Sequence, residues 1–295
     1  MAFKIMTDEQ RINFYLGQEL LKSNVDIKND KNAKTIKDLL EMSNSNIYKD
    51  RIAPIINLIK NTGNSNKSFQ ICFEDIQSKQ NYLTLVKNRS NNNNESVILR
   101  SINTKRHWSN YYNQTDTKNF KDKIPKVFWR GVTTGQPNRP ANRFKLVTTW
   151  FKKNPNIDIG FSNICQRKDE YKKYLLTKCN IKTFLEYKYI LSVEGNDKDS
   201  GLNWKLNSNS LILMAKPIVT SWLMETTLVP NYHYILLKDD FSDLEEKLKW
   251  CNNNVEKCIE IVKNAKKFMS QFSDNKKEEQ LEKEVLNKYF KIIKA

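Results

Sequence analysis

Short apolar segments alternate with helical segments from about residue 126 onward, and this alternation constrains the fold more than any other feature. The segments with the length and composition of strands are 126–131, 157–161, 187–193, 210–214 and 234–237. The segments with helical spacing between them are 143–153, 170–176, 181–186 and 204–207. Strands that are apolar on both faces and joined through helices form parallel sheets covered by helices on each side. The sequence therefore predicts an α/β fold.

The N-terminal part and the C-terminal tail have other patterns. Helices are predicted after a cap at Thr7 or Asp8, over 34–42, and following Pro54. Strands are predicted at 69–73, 82–86 and 97–99, and 88–95 is predicted to be a turn or a low-complexity insertion. The tail is predicted to be helical at 244–251, 255–272 and 278–293, and the last helix is expected to pack back onto the body.

The chain is strongly basic, with 50 Lys and Arg against 33 Asp and Glu among 295 residues. A net charge of +17 favours polyanionic partners such as nucleic acid, anionic membrane surfaces or phosphorylated small molecules. However, the 41 Lys and 37 Asn residues share AT-rich codons, so part of the basicity reflects base composition. Lysine pairs such as Lys152-Lys153 and Lys276-Lys277 fit solvated helix faces, or a surface held against anionic lipid or glycan.

Several classes of protein are excluded by what the sequence lacks. There is no apolar run long enough to span a bilayer, and the N-terminal residues lack the apolar segment of a signal peptide, so a cytoplasmic location is expected. The five cysteines form no CxxC or Cys/His cluster, which favours free thiols over a zinc site or a disulfide framework. No metal site is predicted.

Polar clusters follow the predicted strands, where parallel sheets bind their ligands. The first cluster runs from Arg130-Gly131 through Thr133 to Arg143, and its amides, hydroxyls and arginines suit a phosphate group. The second runs from Ser192 through Gly195 to Lys205, with a helix start expected at Ser200. The third contains Glu225, which could accept hydrogen bonds from a ribose or sugar hydroxyl. Ordinary turns with solvated side chains are the alternative in each case.

The three clusters together resemble glycosyltransferase family 90. The resemblance rests on WRG-x-TTG with NRF, on EGND followed by SGLNWK, on KP…W…E…PN-x-HY, and on Lys238-Asp239-Asp240-Phe241. It covers roughly residues 97–272. It implies a GT-B-like fold of two Rossmann-like domains facing across a cleft. The domains would be an acceptor-side domain at 1–125 and a nucleotide-sugar-binding domain at 126–272, with a C-terminal helix at 273–295.

The resemblance also implies a reaction and its residues. A UDP-sugar would serve as co-substrate, and the anomeric centre would be inverted without a metal or other cofactor. Arg130, Gly131, Thr133 and Arg143 would line the donor diphosphate, and Gly195, Ser200, Asn203 and Lys205 would hold uridine and pyrophosphate. Asn203 stands where related enzymes often have arginine.

An inverting transfer needs a carboxylate that deprotonates the acceptor hydroxyl. The resemblance makes Asp75 the candidate base, with Glu74 as its alternative, although the family's following proline is missing here. A plain strand-end acid explains Asp75 equally well. His107 and Trp108 would face the acceptor, and a tryptophan packed between domains is the alternative for Trp108.

The sequence therefore favours a glycosyltransferase that moves glucose or xylose to a hydroxyl of a glycan, lipid-linked or protein acceptor. Charge alone supports a nucleic-acid-binding protein, and no zinc finger, basic zipper or RNP motif accompanies it, so nucleic acid is not an expected partner. A catalytically silent relative that acts as a binding module is the third hypothesis.

Overall fold

A computed structural model describes residues 4–22, 27, 30–44, 49–75, 81–90, 96–167 and 169–293. The helices are α1 Asp8–Leu16, α2 Gln18–Leu21, α3 Ile36–Asn44, α4 Lys49–Asn61, α5 Thr104–His107, α6 Ser109–Tyr112, α7 Arg143–Trp150, α8 Ile181–Leu185, α9 Leu202–Leu206, α10 Leu244–Asn253, α11 Val255–Ser270 and α12 Asn275–Ile292. The strands are β1 Gln70–Cys72, β2 Thr84–Val86, β3 Asn88–Ser90, β4 Val97–Ile98, β5 Ile124–Val132, β6 Ile157–Asn163, β7 Tyr187–Leu191, β8 Leu211–Met214, β9 Val219–Ser221 and β10 Ile235–Leu236.

The chain divides into two compact units. Unit 1 comprises Met1–Arg106, Ile218–Glu225 and Phe272–Ala295, and unit 2 comprises His107–Pro217 and Thr226–Gln271. Unit 1 is therefore assembled from three stretches of chain and unit 2 from two.

Unit 1 contains a small parallel sheet in the order β1-β2-β4 and an antiparallel pair formed by β3 and β9. Helix α1 begins at a capping box, in which the Thr7 hydroxyl accepts from the Gln10 amide and the Gln10 side chain accepts from the Thr7 amide. The predicted cap is thus confirmed. Helix α12 packs back against α1 and buries Leu281, Val285 and Tyr289.

Unit 2 contains a five-stranded parallel sheet in the order β10-β8-β7-β5-β6, which confirms the predicted α/β architecture. All five predicted strands are present. One face of the sheet carries Val127 and Trp129 and is covered by α7, α10 and α11, which form the main hydrophobic core. The opposite face carries Phe128, whose ring stacks on Tyr187 at 4.1 Å and meets Phe184 of α8 edge-on.

Some predicted elements were wrong. Residues 170–176 form only a short 3₁₀ turn, because Leu176 bonds to the backbone of Phe161 and Leu175 bridges to the edge of β6. Helix α4 begins five residues before Pro54, since its apolar face is buried on both sides of the proline. Residues 88–90 form β3 because they pair with β9, whereas 91–95 lie outside the described residues.

Candidate functional site

The strand order of unit 2 reverses between β5 and β7. From β5 the chain passes to β6 on one side and then crosses back to β7 on the other. In sheets of this kind, ligands bind at the carboxyl ends of the two strands where the direction of winding reverses. The turn after β5 and the loop after β7 are the first and second polar clusters of the sequence.

These two segments touch through their backbones. The Gly135 amide donates to Asn196 Oδ1 at 2.8 Å. Gly135 has a φ of +108°, and a Cβ atom added there would lie 3.1 Å from the Gly195 carbonyl oxygen. A residue with a side chain at position 135 would therefore be strained and crowded. Both turns therefore lie at one edge of the sheet, and their binding of a common pyrophosphate stays a prediction.

Arg143 lies at the centre of this edge. It is the first residue of α7, which Asn142 caps by accepting from the Lys145 amide. Its guanidinium group donates to the carbonyls of Val132 and Val193 and, at 2.7 Å, to Thr134 Oγ1. These acceptors are uncharged, and the hydrogen bonds fix the guanidinium group in place. The charge of Arg143 also contributes to lowering the pKa of the nearby Asp199 carboxylate.

Gly195 provides the room that Arg143 occupies. A Cβ atom at this position would lie 3.0 Å from Arg143 Cζ and 3.0 Å from Thr134 Oγ1. Such contacts are too close for both neighbours to stay in place. A side chain at position 195 would therefore push the Arg143 guanidinium group or the Thr134 hydroxyl out of its present position.

Lys205 forms a buried ion pair with Asp199. Its ammonium group donates to an Asp199 carboxylate oxygen and to the Leu191 carbonyl at the end of β7. The Ser192 hydroxyl and the Gly201 amide also donate to Asp199. Burial raises the pKa of Asp199, but the Lys205 ammonium group outweighs that effect and holds the pKa below its usual value. Lys205 therefore holds the loop after β7 in place, and its ammonium group is buried between Leu191 and Asp199.

The helix expected to start at Ser200 starts at Leu202 instead. Gly201 is its N-cap and Ser200 lies one residue earlier. The Asp199 carboxylate accepts from the Gly201 amide just before the helix, and the helix begins without a side-chain cap. Asn203 is buried in this helix, where its side chain donates to the His107 carbonyl and accepts from the Trp204 amide.

Arg130 is directed away from this edge. Because side chains alternate along a strand, Arg130 projects from the face opposite Trp129, and its guanidinium group binds the Asp158 carboxylate at 2.6 Å.

Gly131 leaves space for the Trp129 indole, since an added Cβ would lie 2.4 Å from its ring. The Thr133 hydroxyl accepts from the Cys165 amide and so joins the ends of β5 and β6.

His107 and Trp108 are both buried within unit 2. The Trp108 indole is 2% exposed, and it meets the ring of Tyr111 edge-on at 5.5 Å. This is the environment of a packed aromatic side chain.

The predicted residues of unit 1 lie in two places. Asp75 follows β1 and forms an ion pair with Lys87, which follows the neighbouring strand β2, so both stand at the carboxyl edge of the small parallel sheet. Glu74 is exposed. Glu225 is buried, and its carboxylate accepts from the Ser221 amide at 2.7 Å and from the Ser221 hydroxyl at 2.8 Å.

Among the described residues, no group of three or more His, Cys, Asp or Glu side chains is arranged to hold a metal ion. None of the described helices has the length and hydropathy needed to cross a membrane.

The family profile of glycosyl transferase family 90 matches residues 98–295, which is about two thirds of the chain. The chain belongs to glycosyltransferase family 90. This membership confirms the resemblance and the predicted enzyme class, a glycosyltransferase. The match contains all of the unit 2 residues discussed above, whereas Asp75 lies before it.

Individual relatives agree with this assignment. The chain is 32% identical over 226 residues to "O-glucosyltransferase LpsA" of Dichelobacter nodosus, covering 76% of this chain and 67% of that protein. It is 29% identical to "Uncharacterized protein 179R" of Invertebrate iridescent virus 6, over 60% of this chain and 18% of the viral protein. It is 26% identical to "Protein O-glucosyltransferase 2" of Danio rerio, over 50% of this chain and 29% of that protein.

Two residues at this edge, Arg139 and Asn196, were not predicted individually from the sequence. Arg139 donates to the Gly195 carbonyl at 2.9 Å and to the Asn196 carbonyl at 2.6 Å. Asn196 in turn accepts from the Gly135 amide. Both residues lie inside the first two clusters. The sequence does contain a signal for Arg139, which is an arginine within a turn rich in Pro and Asn. The long side chain of such an arginine can reach a neighbouring loop.

Proposed function

We propose that this family 90 member transfers a sugar, glucose or xylose, from a UDP-sugar to a hydroxyl group of a glycan, lipid-linked or protein acceptor. Two relatives, both named as O-glucosyltransferases, support glucose. The observation that carries the proposal is the convergence of the two turns on Arg143 at the reversal of strand order in unit 2. A nucleoside diphosphate suits such an edge, because its charge needs a fixed cation and nearby amide donors.

The local charge balance supports an anionic ligand. Residues 131–143 and 194–205 contain four Lys and Arg against three Asp and Glu, which leaves a net charge of +1. In this proposal Arg143 binds the diphosphate, while Gly131, Thr133 and Gly195 shape the edge around it. Lys205, Asn203 and Ser200 hold the loop that meets uridine and pyrophosphate. Arg130 reaches this ligand only if its bond to Asp158 opens.

The proposed reaction inverts the anomeric carbon. The acceptor oxygen attacks C1 of the sugar, the bond between C1 and the diphosphate oxygen breaks, and UDP leaves with the bonding electrons. The acceptor proton passes to the Asp75 carboxylate, which forms an ion pair with Lys87. Arg143 and backbone amides stabilise the charge that develops on the leaving diphosphate, which is the task that a metal ion performs in other enzymes.

The proposal includes the organisation implied by the family. Residues 1–125 would serve the acceptor, residues 126–272 would bind the donor in a GT-B-like arrangement, and Glu225 would bind a ribose or sugar hydroxyl. His107 and Trp108, both buried, would support the acceptor side through their packing.

The test compares Arg143→Ala with Lys145→Ala, a cation of the same helix whose ammonium group donates to the Pro140 carbonyl. UDP affinity is measured by calorimetry, and turnover is measured across a panel of UDP-sugars. We expect wild type and Lys145→Ala to bind UDP and to turn over one of the sugars, and Arg143→Ala to lose UDP binding. Unchanged UDP affinity in folded Arg143→Ala would contradict the proposed donor site. UDP binding without turnover of any UDP-sugar would favour the alternative hypothesis, a catalytically silent relative that acts as a binding module.

A further inference from the structure

Arg139 joins the two segments that form the edge. It lies between β5 and α7, and its guanidinium group donates to two successive carbonyls, those of Gly195 and Asn196, at 2.9 and 2.6 Å. The Glu194 carboxylate lies 3.7 Å from Nη1. The Arg139 side chain is only 12% exposed. A planar guanidinium fork that binds two successive peptide carbonyls fixes the direction of the loop as well as its distance.

The backbone of Arg139 is fixed as well. The Asn142 side chain donates to the Arg139 carbonyl and to the Pro137 carbonyl, each at 2.9 Å, and the same side chain caps α7. Arg143 is the first residue of that helix. A continuous series of hydrogen bonds therefore runs from the start of α7 through Asn142 and Arg139 to the loop after β7.

A second connection runs in the opposite direction. Asn196, whose carbonyl accepts from Arg139, itself accepts from the Gly135 amide through its side chain. The turn holds the loop through Arg139, and the loop holds the turn through Asn196. The separation of the two segments is thus set from both sides.

The bonds from Arg139 also orient the peptide groups of the loop. In a planar trans peptide, the N–H points opposite to the C=O of the same unit. Because Arg139 captures the carbonyls of Gly195 and Asn196, the amides of Asn196 and Asp197 point away from Arg139. Loss of the guanidinium group would remove both hydrogen bonds, and with them this constraint on the orientation of the two peptide planes.

We infer that Arg139 is a positioning residue for the donor diphosphate. It sets the distance between the turn after β5 and the loop after β7, and so holds the Arg143 guanidinium group against the Gly195 backbone in one geometry. This inference rests on the proposed function, because it assigns the edge to a nucleoside diphosphate. Lysine is a poor substitute at position 139, since a single ammonium group lacks the planar fork that binds two carbonyls.

The experiment uses Arg139→Gln and Arg139→Lys, with Arg167→Gln as the control. Arg167 is exposed and lies over the Phe144 ring. Its replacement removes the same charge without removing a hydrogen bond between the turn after β5 and the loop after β7. We expect Arg139→Gln to raise the Kd for UDP and the donor KM about tenfold, the effect of losing one charged hydrogen bond, with kcat and the acceptor KM little changed. The Kd for UDP and the donor KM of Arg139→Lys should lie between those of wild type and Arg139→Gln. Both values should be the same in Arg167→Gln as in wild type. A Kd for UDP in folded Arg139→Gln equal to that of wild type would overturn the inference.

Hydrogen exchange separates this inference from the proposed function. Faster exchange of the amides at 134–136 and 194–197 in Arg139→Gln, and not in Arg167→Gln, is expected whether or not UDP binds. Wild type that fails to bind UDP would reject the proposed donor site. Exchange at these amides that is the same in Arg139→Gln and wild type would reject the role of Arg139.

Discussion

The guanidinium group of Arg11 and the carboxylate of Glu278 form a bidentate ion pair, with Nη1 2.7 Å from Oε1 and Nη2 2.6 Å from Oε2. Both side chains are buried within unit 1. The Trp222 indole N–H donates to the same carboxylate, and the Tyr15 hydroxyl accepts from Arg11 and donates to the Trp222 carbonyl. The pair therefore joins α1, α12 and the 218–225 segment.

Glu278→Gln should destabilise the protein by about 3 kcal/mol, because it leaves the buried Arg11 charge without its carboxylate. Denaturant unfolding measures the change in the free energy of unfolding. Replacing both partners, with Arg11→Met and Glu278→Leu together, should cost less than Glu278→Gln alone, since no buried charge then remains. A single variant as stable as wild type would show that the pair contributes nothing.

Asp75→Asn should lower the rate of transfer about 10²- to 10⁴-fold and leave UDP affinity unchanged, because an amide cannot accept the acceptor proton. Single-turnover assays and calorimetry measure the two quantities. Glu74→Gln is the matched control, since Glu74 is the exposed neighbour of Asp75. The assignment of the base passes to Glu74 if that variant loses transfer and Asp75→Asn retains it.

Gly195→Ala should weaken UDP binding, because the new methyl group would lie 3.0 Å from Arg143 Cζ and displace the guanidinium group. Gly63→Ala provides the contrast. Its Cβ would meet nothing within 4 Å, although its φ of +70° strains an alanine, so it should lower stability without changing UDP affinity. Calorimetric titration with UDP compares the two variants. Equal UDP affinities in Gly195→Ala and Gly63→Ala would contradict the account of Arg143.

His233 should make the protein less stable in mild acid. Burial lowers its pKa from 6.5 to about 4, and its Nδ1 atom accepts from the Val229 amide. Below pH 6.5 the unfolded chain takes up a proton that the folded protein does not bind until about pH 4. Stability is therefore lost as the pH falls through this interval.

His233→Asn tests this pH dependence, because asparagine can accept the Val229 amide without titrating. The free energy of unfolding is measured at pH 7 and pH 5 for both proteins. Wild type should lose more stability between the two values than the variant does. Equal losses would mean that His233 does not contribute to the acid sensitivity.

The parallel sheet of unit 2 was predictable because its strands are short, apolar and separated by helical segments. The convergence of the two turns was also predictable, since the carboxyl ends of parallel strands share an edge. The cap at Thr7 followed from the local sequence alone. In each of these cases a signal within a few residues determines the structure.

Other features depend on residues far apart in the sequence. The pairing of β3 with β9 joins residues more than a hundred positions apart, and neither strand has a strong local pattern. Arg130 was expected beside the diphosphate, yet its binding to Asp158 depends on which strand lies next to β5. Likewise, the burial of Lys205 against Asp199 and Leu191 depends on how α9 packs beneath the edge. Spacing alone contains none of this information.

The three-part composition of unit 1 has a consequence for how the protein is made. Glu278 is synthesised 267 residues after Arg11 and after every strand of unit 2. Helix α1 must therefore remain without its buried counter-charge until Glu278 has been made. Unit 1 thus begins before unit 2 along the chain, but it can be completed only after the strands of unit 2 have been synthesised.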